Sequence, residues 1–162
     1  MRGPRIRLAT PADLAVLPAL EAAADRLLEG VLGSRPLPAP EPPPAVGPVL
    51  ILVAGNPPVG FARIDEVDGQ AHLEQVSVHP DAAGRGIGRS LVQAALDAAR
   101  RRGYESMTLC TFEDVAFNAP FYRSCGFDVV AEPGGALAGL RHHEAQLGLD
   151  DLGPRVAMRN RL

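Results

Sequence analysis

Short apolar segments alternate with longer amphipathic segments along this chain, and together they predict a sheet covered by helices. The short segments are bounded by glycine, proline or acidic residues, as strands are, while the long ones repeat apolar residues every three or four positions. The predicted strands are residues 5–9, 49–54, 59–67, 70–78, 107–111, 127–131 and 155–162. The predicted helices are residues 10–29, the stretch with the stripe Leu91, Val92, Ala95, Leu96 and Ala99, a short helix between 118 and 126, and residues 136–147. This order of elements indicates an α/β fold built on a mixed sheet.

Residues 35–48, with the sequence R-P-L-P-A-P-E-P-P-P-A-V-G-P, interrupt this pattern. Proline lacks an amide donor and keeps the preceding residue out of the helical region, so neither a helix interior nor a central strand fits here. We predict an extended surface loop between the first helix and the second strand.

The dipeptide Asp68-Gly69 between two strand-like segments is a strong signal for a two-residue hairpin turn. A turn of that length pairs Val67 with Gln70 and fixes the register of both strands, because side chains alternate between the two faces of a sheet. On one face the register predicts three cross-strand pairs: Asp65 with His72, Arg63 with Glu74, and Phe61 with Val76.

The composition is that of an ordinary globular domain. With 162 residues, 46% apolar and 22% charged, the chain is long enough for one core, and we predict a single domain over residues 1–162. The formal net charge of -3 gives no bulk attraction to nucleic acid or to an anionic membrane surface, so neither is predicted as a partner. No segment has the apolar length of a signal-peptide core or a membrane span, so a cytoplasmic protein is expected.

Two pairs of residues invite thiol or metal chemistry, and neither is assigned such a role. Cys110 and Cys125 lie in no recognisable Cys-His setting, and two cysteines in a reducing compartment are expected to be free thiols. His142 and His143 are adjacent, so they do not ligate one metal from a single helix face. No metal site is predicted.

The stretch from 74 to 91, E-Q-V-S-V-H-P-D-A-A-G-R-G-I-G-R-S-L, predicts a strand, a glycine-rich turn and the start of a helix. Glycines at 84, 86 and 88 expose backbone amides at a helix N-terminus, where the helix dipole favours an anion. A phosphate or pyrophosphate is therefore the expected ligand. The turn is not a Walker loop, because the chain has no lysine, and it is not a Rossmann fingerprint, because its glycines alternate one by one.

This turn resembles motif A of the GCN5-related N-acetyltransferases, the GNAT family. That motif reads Arg/Gln-x-x-Gly-x-Gly/Ala after a strand that ends in Val-x-Pro, and here Val78-His79-Pro80 and Gly86-Ile87-Gly88 match it. The Arg/Gln position falls on Ala83, and this departure predicts a weaker grip on the ligand.

A second pattern of the same family is an Asn followed by Phe-Tyr-x-x-x-Gly-Phe. It is matched here by Asn118, Phe121, Tyr122, Gly126 and Phe127. Both motifs occur in the family's order, and the predicted elements agree with its fold over nearly the whole chain. The resemblance implies the GNAT acyl-CoA N-acyltransferase fold, in which the fourth and fifth strands splay apart and the pantetheine arm of acetyl-CoA lies in the gap.

The resemblance implies acetyl-CoA as the co-substrate and no metal. Loop amides are expected to hold the pyrophosphate, with the side chains of the two loop arginines as secondary candidates, and backbone groups of the fourth strand are expected to contact the pantetheine. The implied binding residues are Val76, Val78, Ala83, Gly84, Arg85, Gly86, Ile87, Gly88, Arg89, Ser90 and Asn118.

The resemblance also implies direct transfer of the acetyl group to a primary amine of a small molecule or a peptide. Tyr122 is expected to protonate the departing CoA thiolate, and Glu74 is the first candidate for the base that deprotonates the amine. His72 is the second candidate, and deprotonation in solution is the third. The proline-rich loop, where the family has a helix beside the acceptor site, would shape substrate entry. A non-catalytic acyl-CoA sensor or structural member of the fold stays as an alternative, and a homodimer is left open.

Overall fold

The computed structural model describes residues 2–33, 37–38 and 48–162, and within them it contains one seven-stranded sheet with helices on both faces. Most of the proline-rich stretch predicted as a loop lies outside these residues. The strands are β1 (Ile6–Leu8), β2 (Leu50–Ala54), β3 (Gly60–Val67), β4 (Gln70–Val78), β5 (Ser106–Phe112), β6 (Asp128–Val130) and β7 (Arg155–Arg161). The helices are α1 (Pro11–Leu14), α2 (Leu17–Leu32), α3 (Ile87–Arg101), α4 (Ala119–Ser124) and α5 (Gly135–Gln146).

The strand order β1-β2-β3-β4-β5-β7-β6 makes the sheet mixed, as predicted. β4 and β5 are parallel and are connected through α3, while the other neighbouring strands run antiparallel. The last strand, β7, enters between β5 and β6, which leaves the three-residue β6 at one edge of the sheet.

Two apolar cores cover the two faces of the sheet. The larger core packs α3 against one face, and the stripe predicted from Leu91 to Ala99 is buried in it. The smaller core packs α2 against the other face through residues such as Leu17 and Phe61. Because Leu73 of β4 belongs to the larger core, its neighbour His72 points to the face covered by α2.

The helix predicted over residues 10–29 is in fact two helices, α1 and α2. Thr10 caps α1 as predicted: its hydroxyl accepts from the Asp13 amide, and the Asp13 carboxylate accepts from the Thr10 amide. Pro18 lies in the first turn of α2 and explains the break. In a continuous helix it would have no amide to donate, and its ring would clash with the carbonyl of Leu14.

The predicted hairpin turn joins β3 to β4. Asp68 and Gly69 have φ angles of 57° and 73°, which is the left-handed conformation that a type I′ turn requires at both positions. The Asp68 carboxylate also accepts from the amides of Ala136 and Leu137, at 2.9 and 3.1 Å, and so anchors the start of α5 to the turn. None of the helices in the described part of the chain is long and apolar enough to cross a membrane.

The predicted register of this hairpin is correct near the turn and wrong farther from it. Asp65 lies opposite His72, as predicted. Beyond that pair a β-bulge inserts one extra residue in β4, so Arg63 lies opposite Gln75 and Glu74 has no residue opposite it. The predicted pairing of Phe61 with Val76 is wrong for the same reason, since Phe61 lies opposite Ser77.

β4 and β5 separate shortly after they begin to pair. Ala71 pairs with Met107 and His72 with Thr108, and from residue 73 onward β4 pairs only with β3. The gap that opens between the carboxyl-terminal parts of the two strands confirms the predicted splay of the central strands.

Candidate functional site

The backbone at the start of α3 leaves several amides outside the helical hydrogen-bond pattern. Gly84 and Gly86 both have a φ of 76°, a conformation that residues with a Cβ rarely adopt. The Ser90 amide donates to the Gly86 carbonyl at 3.0 Å and begins the helical pattern. The amides of residues 87–89 precede it and point out of the helix end. This arrangement suits an anion at the positive end of the helix dipole.

The arginines beside this glycine loop already make contacts within the protein. Arg89 donates to the Ser124 hydroxyl at 2.8 Å, at the far end of α4. Arg85 is exposed, and its guanidinium lies 3.4 Å from the Asp81 carbonyl oxygen. Ala83 is exposed as well, so the side chain that the family motif has at this position would stand on the surface of the loop.

A groove of about 560 Å³ continues from the loop along α3. Arg89, Ser90 and Gln93 line it on the α3 side, and Ser124 and Cys125 line it at the end of α4. The groove therefore offers a surface of mixed polar and apolar character beside the free amides.

The unpaired edge of β4 adjoins the same loop. Val76 and Val78 are partly buried and pack against the larger core. Their strand is hydrogen-bonded to β3 on one side only, so backbone groups on the other side face the gap toward β5. An extended chain with amide groups can bind along such an edge as an added strand would.

Tyr122 lies on α4, with its ring edge-on to those of Phe121 and Phe127 at centroid distances of 5.2 and 5.9 Å. Its hydroxyl makes no hydrogen bond to another residue in the described ranges. Burial raises the pKa of this phenol well above its ordinary value near 10, and Cys125 adds to the shift. Tyr122 therefore keeps its proton at neutral pH.

Asn118 connects the start of α4 to β5. Its Oδ1 accepts a hydrogen bond from the Thr111 hydroxyl at 2.7 Å, on the part of β5 that borders the gap. Its side-chain nitrogen makes no hydrogen bond to the residues that the structure describes. That nitrogen remains a free donor beside the gap.

Glu74 is the residue that the bulge inserts into β4, and 41% of its side chain is exposed. Although it reaches solvent, the surrounding protein removes enough water to raise its pKa to about 7. The carboxylate of Asp65 raises this pKa further, while Arg63 partly opposes the shift. The predicted pairing with Arg63 would have lowered the pKa of Glu74, and the bulge prevents it.

The charged partners on this face differ from the predicted ones. Arg63 forms a bidentate ion pair with Asp65 of its own strand, with both nitrogen–oxygen distances at 2.9 Å. His72 is 3% exposed, and its Nδ1 lies 2.8 Å from the Thr108 hydroxyl. Its Nε2 lies 3.5 Å from Oε2 of Glu74. The two candidate bases are therefore neighbours.

Two acidic residues of α2, Glu21 and Asp25, belong to the same region and were missed in the sequence. Burial raises the pKa of Glu21 to about 7, with Asp25 and Glu74 adding to the shift. Burial also raises the pKa of Asp25 to about 6. The signal was present: two acidic residues four positions apart interrupt the apolar face of this helix. Together with Glu74 they give this face of the sheet three acidic residues with raised pKa values.

The remaining groups near Glu74 come from β5 and α5. Cys110 of β5 has its thiol pKa raised to about 12 by burial, so it is not a thiolate at neutral pH. Glu144 of α5 bonds Arg141 and Arg155 at 2.9 and 2.8 Å. In the ranges that the structure describes, no group of three or more His, Cys, Asp or Glu residues is arranged to hold a metal ion.

The predicted site residues thus fall on two sides of the gap between β4 and β5. The glycine loop, Asn118 and Tyr122 lie with the larger core. His72 and its neighbour Glu74 lie with the acidic residues of α2. This is the geometry of a passage in which one reactant enters from each side.

The chain belongs to the GNAT acetyltransferase family. The model of that family, "Acetyltransferase (GNAT) family", matches residues 21–127, which is more than half of the chain. The match includes both motifs singled out in the sequence, and the predicted membership is confirmed.

Individual proteins agree with this assignment. The chain is 33% identical over 87 residues to mycothiol acetyltransferase of Clavibacter michiganensis subsp. michiganensis, an alignment that covers 52% of this chain and 28% of that protein. It is similar in fold to the PaiA N-acetyltransferase of Thermoplasma acidophilum in complex with coenzyme A, with a TM-score of 0.71, 14% identity, and coverage of 99% and 100%. It is also similar to a GNAT family acetyltransferase of Brucella melitensis in complex with acetyl-CoA, with a TM-score of 0.56, 24% identity, and coverage of 80% and 88%.

Proposed function

We propose that the protein is an acetyl-CoA-dependent N-acetyltransferase that transfers an acetyl group directly to a primary amine of a small molecule or a peptide. The proposal takes residues 1–162 as one catalytic domain. The observation that carries it is the gap between β4 and β5, which has a free-amide glycine loop at one end, a proton donor on one side and a carboxylate of raised pKa on the other.

Acetyl-CoA would bind from the side of α3 and α4. Its pyrophosphate would accept hydrogen bonds from the amides between Arg85 and Arg89, helped by the helix dipole. Its pantetheine would lie along β4 near Val76 and Val78 and bring the thioester into the gap. Asn118, with a free side-chain nitrogen, would contact the same arm.

The acceptor amine would arrive from the side of α2 and α5. Glu21, Asp25 and Glu74 make this entrance acidic, which favours an ammonium ion over an anion. Bound there, the amine must lose a proton before it can attack. Glu74 is suited to take it, because a carboxylate with a pKa near 7 is a stronger base than an ordinary one and is still partly ionised at neutral pH.

In the reaction a bond forms between the amine nitrogen and the carbonyl carbon of the thioester, and the bond between that carbon and the CoA sulfur breaks. Glu74 accepts a proton from the ammonium, and the free amine nitrogen attacks the carbonyl carbon of the thioester. The tetrahedral intermediate collapses with loss of the CoA sulfur, which takes the proton of Tyr122 as it leaves. The nitrogen loses its second proton to solvent as the intermediate collapses. Solvent also returns a proton to Tyr122 and removes one from Glu74, so the products are the acetylated amine, free CoA and one proton.

A non-catalytic acyl-CoA sensor is the second candidate. Ala83 favours it, because the chain departs at this position from the family's motif. The free hydroxyl of Tyr122 and the raised pKa of Glu74 favour an enzyme, because neither serves ligand binding alone.

One experiment separates the two candidates. Acetyl-CoA is incubated with the protein and a panel of primary amines and short peptides, and thiol release is compared with a reaction that lacks the amine. Calorimetry with CoA is run in parallel. Amine-dependent thiol release supports the enzyme, binding without release across the panel supports the sensor, and absence of both contradicts the proposal.

A further inference from the structure

The buried hydroxyl of Thr108 lies next to His72, on the side of the ring opposite Glu74. Thr108 of β5 and His72 of β4 are each 3% exposed, and they lie on the last rung where the two strands still pair. The Thr108 Oγ1 is 2.8 Å from Nδ1 of His72, and the opposite ring nitrogen is 3.5 Å from Oε2 of Glu74. The three side chains thus form a line from the sheet interior to the gap.

The positions of two protons in this line follow from the available partners. Oγ1 of Thr108 has no hydrogen-bond partner other than His72 within the described chain. If Nδ1 carried the ring proton and donated it, the hydroxyl hydrogen of Thr108 would be buried without an acceptor, which is costly. If the hydroxyl donates to Nδ1 instead, both groups are satisfied. The ring proton of the neutral imidazole must then be on Nε2, which faces Glu74.

We propose that Thr108 is a positioning residue, whose hydroxyl holds His72 in the Nε2–H tautomer so that this N–H steadies the ionised carboxylate of Glu74 at the edge of the gap. The inference rests on the proposed function of Glu74 as the base. His72 in this tautomer has no lone pair directed at the gap, so it positions the base and does not replace it.

The surrounding charges agree with a neutral His72. Burial lowers the pKa of this imidazole, although Asp65 of β3 and Glu144 of α5 oppose the shift.

Glu74 is faced by the same two carboxylates, by Arg63 of β3 and Arg155 of β7, and by Glu21 of α2. A neutral N–H donor is then one of the interactions that keep Glu74 ionised in acidic surroundings.

The 3.5 Å separation shortens to a hydrogen bond if the partly exposed Glu74 side chain rotates slightly. In the bulge, Glu74 is not fixed by a cross-strand partner. The ring of His72, in contrast, is buried and lies 2.8 Å from the Thr108 hydroxyl. The histidine is therefore the rigid member, and the carboxylate is the member that it orients.

The test compares Thr108→Val with Thr108→Ser. Valine keeps the shape and removes the hydroxyl, so nothing holds His72 in the Nε2–H tautomer. The donor to Glu74 is then present only part of the time, and the pKa of Glu74 rises. We expect the acidic limb of the pH profile of kcat/KM to move up by about half a pH unit, which is about threefold in rate on that limb. Serine restores the donor, and its profile should match that of the wild type. Equal profiles for wild type and Thr108→Val, or equal shifts for valine and serine, would overturn the proposal.

Two NMR measurements test the role of Thr108 without requiring turnover. Titration of the Glu74 carboxyl carbon by NMR reports its pKa directly in the wild type and both variants, so failure to find an acceptor amine does not affect the result. Ring nitrogen shifts give the tautomer of His72 in the wild type, with His72→Gln used to assign its signals among the four histidines. A wild-type ring that carries its proton on Nδ1 contradicts the proposal even if Thr108→Val does not fold.

Discussion

The guanidinium of Arg89 lies 5.5 Å from the centre of the Phe121 ring, which connects the start of α3 to α4. The same guanidinium donates to the hydroxyl and the carbonyl of Ser124, at 2.8 and 3.3 Å. Arg89 thereby joins the glycine loop to the helix that carries Tyr122. An arginine next to the proposed phosphate site therefore has a structural role in the ligand-free protein.

The first prediction is that Arg89→Ala lowers the free energy of unfolding by about 1 kcal/mol, since one cation–π contact and two exposed hydrogen bonds to Ser124 are lost. Urea denaturation of the ligand-free protein measures the change. Arg85→Ala is the matched control, because it removes the same charge from the same loop but loses only a 3.4 Å contact with the Asp81 carbonyl. Equal effects of the two substitutions would contradict the role of Arg89.

The second prediction concerns the glycine loop: Gly86→Asp should weaken acetyl-CoA binding by about tenfold or more, roughly 1.4 kcal/mol, because a carboxylate would repel the pyrophosphate. Calorimetry measures the affinity. Gly103→Asp is the control, because Gly103 has a φ of 84°, close to the 76° of Gly86, open space around it, and a place at the other end of α3. A similar loss of affinity in both variants would mean that strain, and not the charge in the loop, is responsible.

The fold was predictable wherever a local rule decides the geometry. Asp68-Gly69 fixed the hairpin, Thr10 fixed the start of α1, and the apolar period fixed α3. The break before Pro18 was readable from the same rules but was missed, because the apolar spacing continues across it. The position of β7 between β5 and β6 could not be predicted from the sequence, because strand order depends on pairing between distant segments.

The candidate site was predictable in its parts and not in its contacts. The glycine loop, Tyr122 and Glu74 were singled out because motifs and strand position mark them. The bulge at Glu74 was not found, because an alternating pattern assumes one residue opposite another and gives no sign of an insertion. That single extra residue removes the expected pairing with Arg63, and burial raises the pKa of Glu74 where the pairing would have lowered it. The acidic pair Glu21 and Asp25 was missed because the sequence does not show how deeply α2 buries these two side chains.

The third prediction is a pH-dependent gain of stability in Glu21→Gln. The pKa of Glu21 is raised to about 7 in the folded protein from an ordinary value near 4.5. Its contribution to stability is therefore fully present below pH 4.5 and is lost as the pH rises through 7. Glutamine stays neutral, so the variant should have a higher Tm than the wild type at pH 8 and a similar one at pH 4.5. Glu113→Gln, at an exposed position, should show no such trend, and a constant difference for Glu21→Gln would refute the prediction.

The fourth prediction is that kcat/KM of the wild type falls on the acidic side with an apparent pKa near 7, and that Glu74→Gln removes this limb. The sign follows from the mechanism: only the ionised carboxylate accepts a proton, and its pKa is about 7. Loss of the base should lower kcat/KM at pH 8 by about 100-fold. An acidic limb of wild-type shape in Glu74→Gln would mean that the amine is deprotonated elsewhere.

The last prediction is that Tyr122→Phe lowers kcat while folding and acetyl-CoA affinity are largely kept. Phenylalanine preserves the ring contacts with Phe121 and Phe127 and removes only the hydroxyl, which has no hydrogen-bond partner to lose among the described residues. A thiol with a pKa near 8.5 needs less help in leaving than an alcohol would, so the loss should be at the low end of general acid catalysis, about 100-fold. Steady-state turnover with a good acceptor measures it.

The chain provides its own control for this substitution, since it contains two tyrosines. Tyr104 donates to Glu66 on the surface, so Tyr104→Phe removes a hydroxyl that has a partner and is remote from the gap. We expect that variant to keep wild-type kcat. If Tyr122→Phe also turns over at the wild-type rate, the thiolate takes its proton from water, and the raised pKa of Tyr122 reflects packing alone.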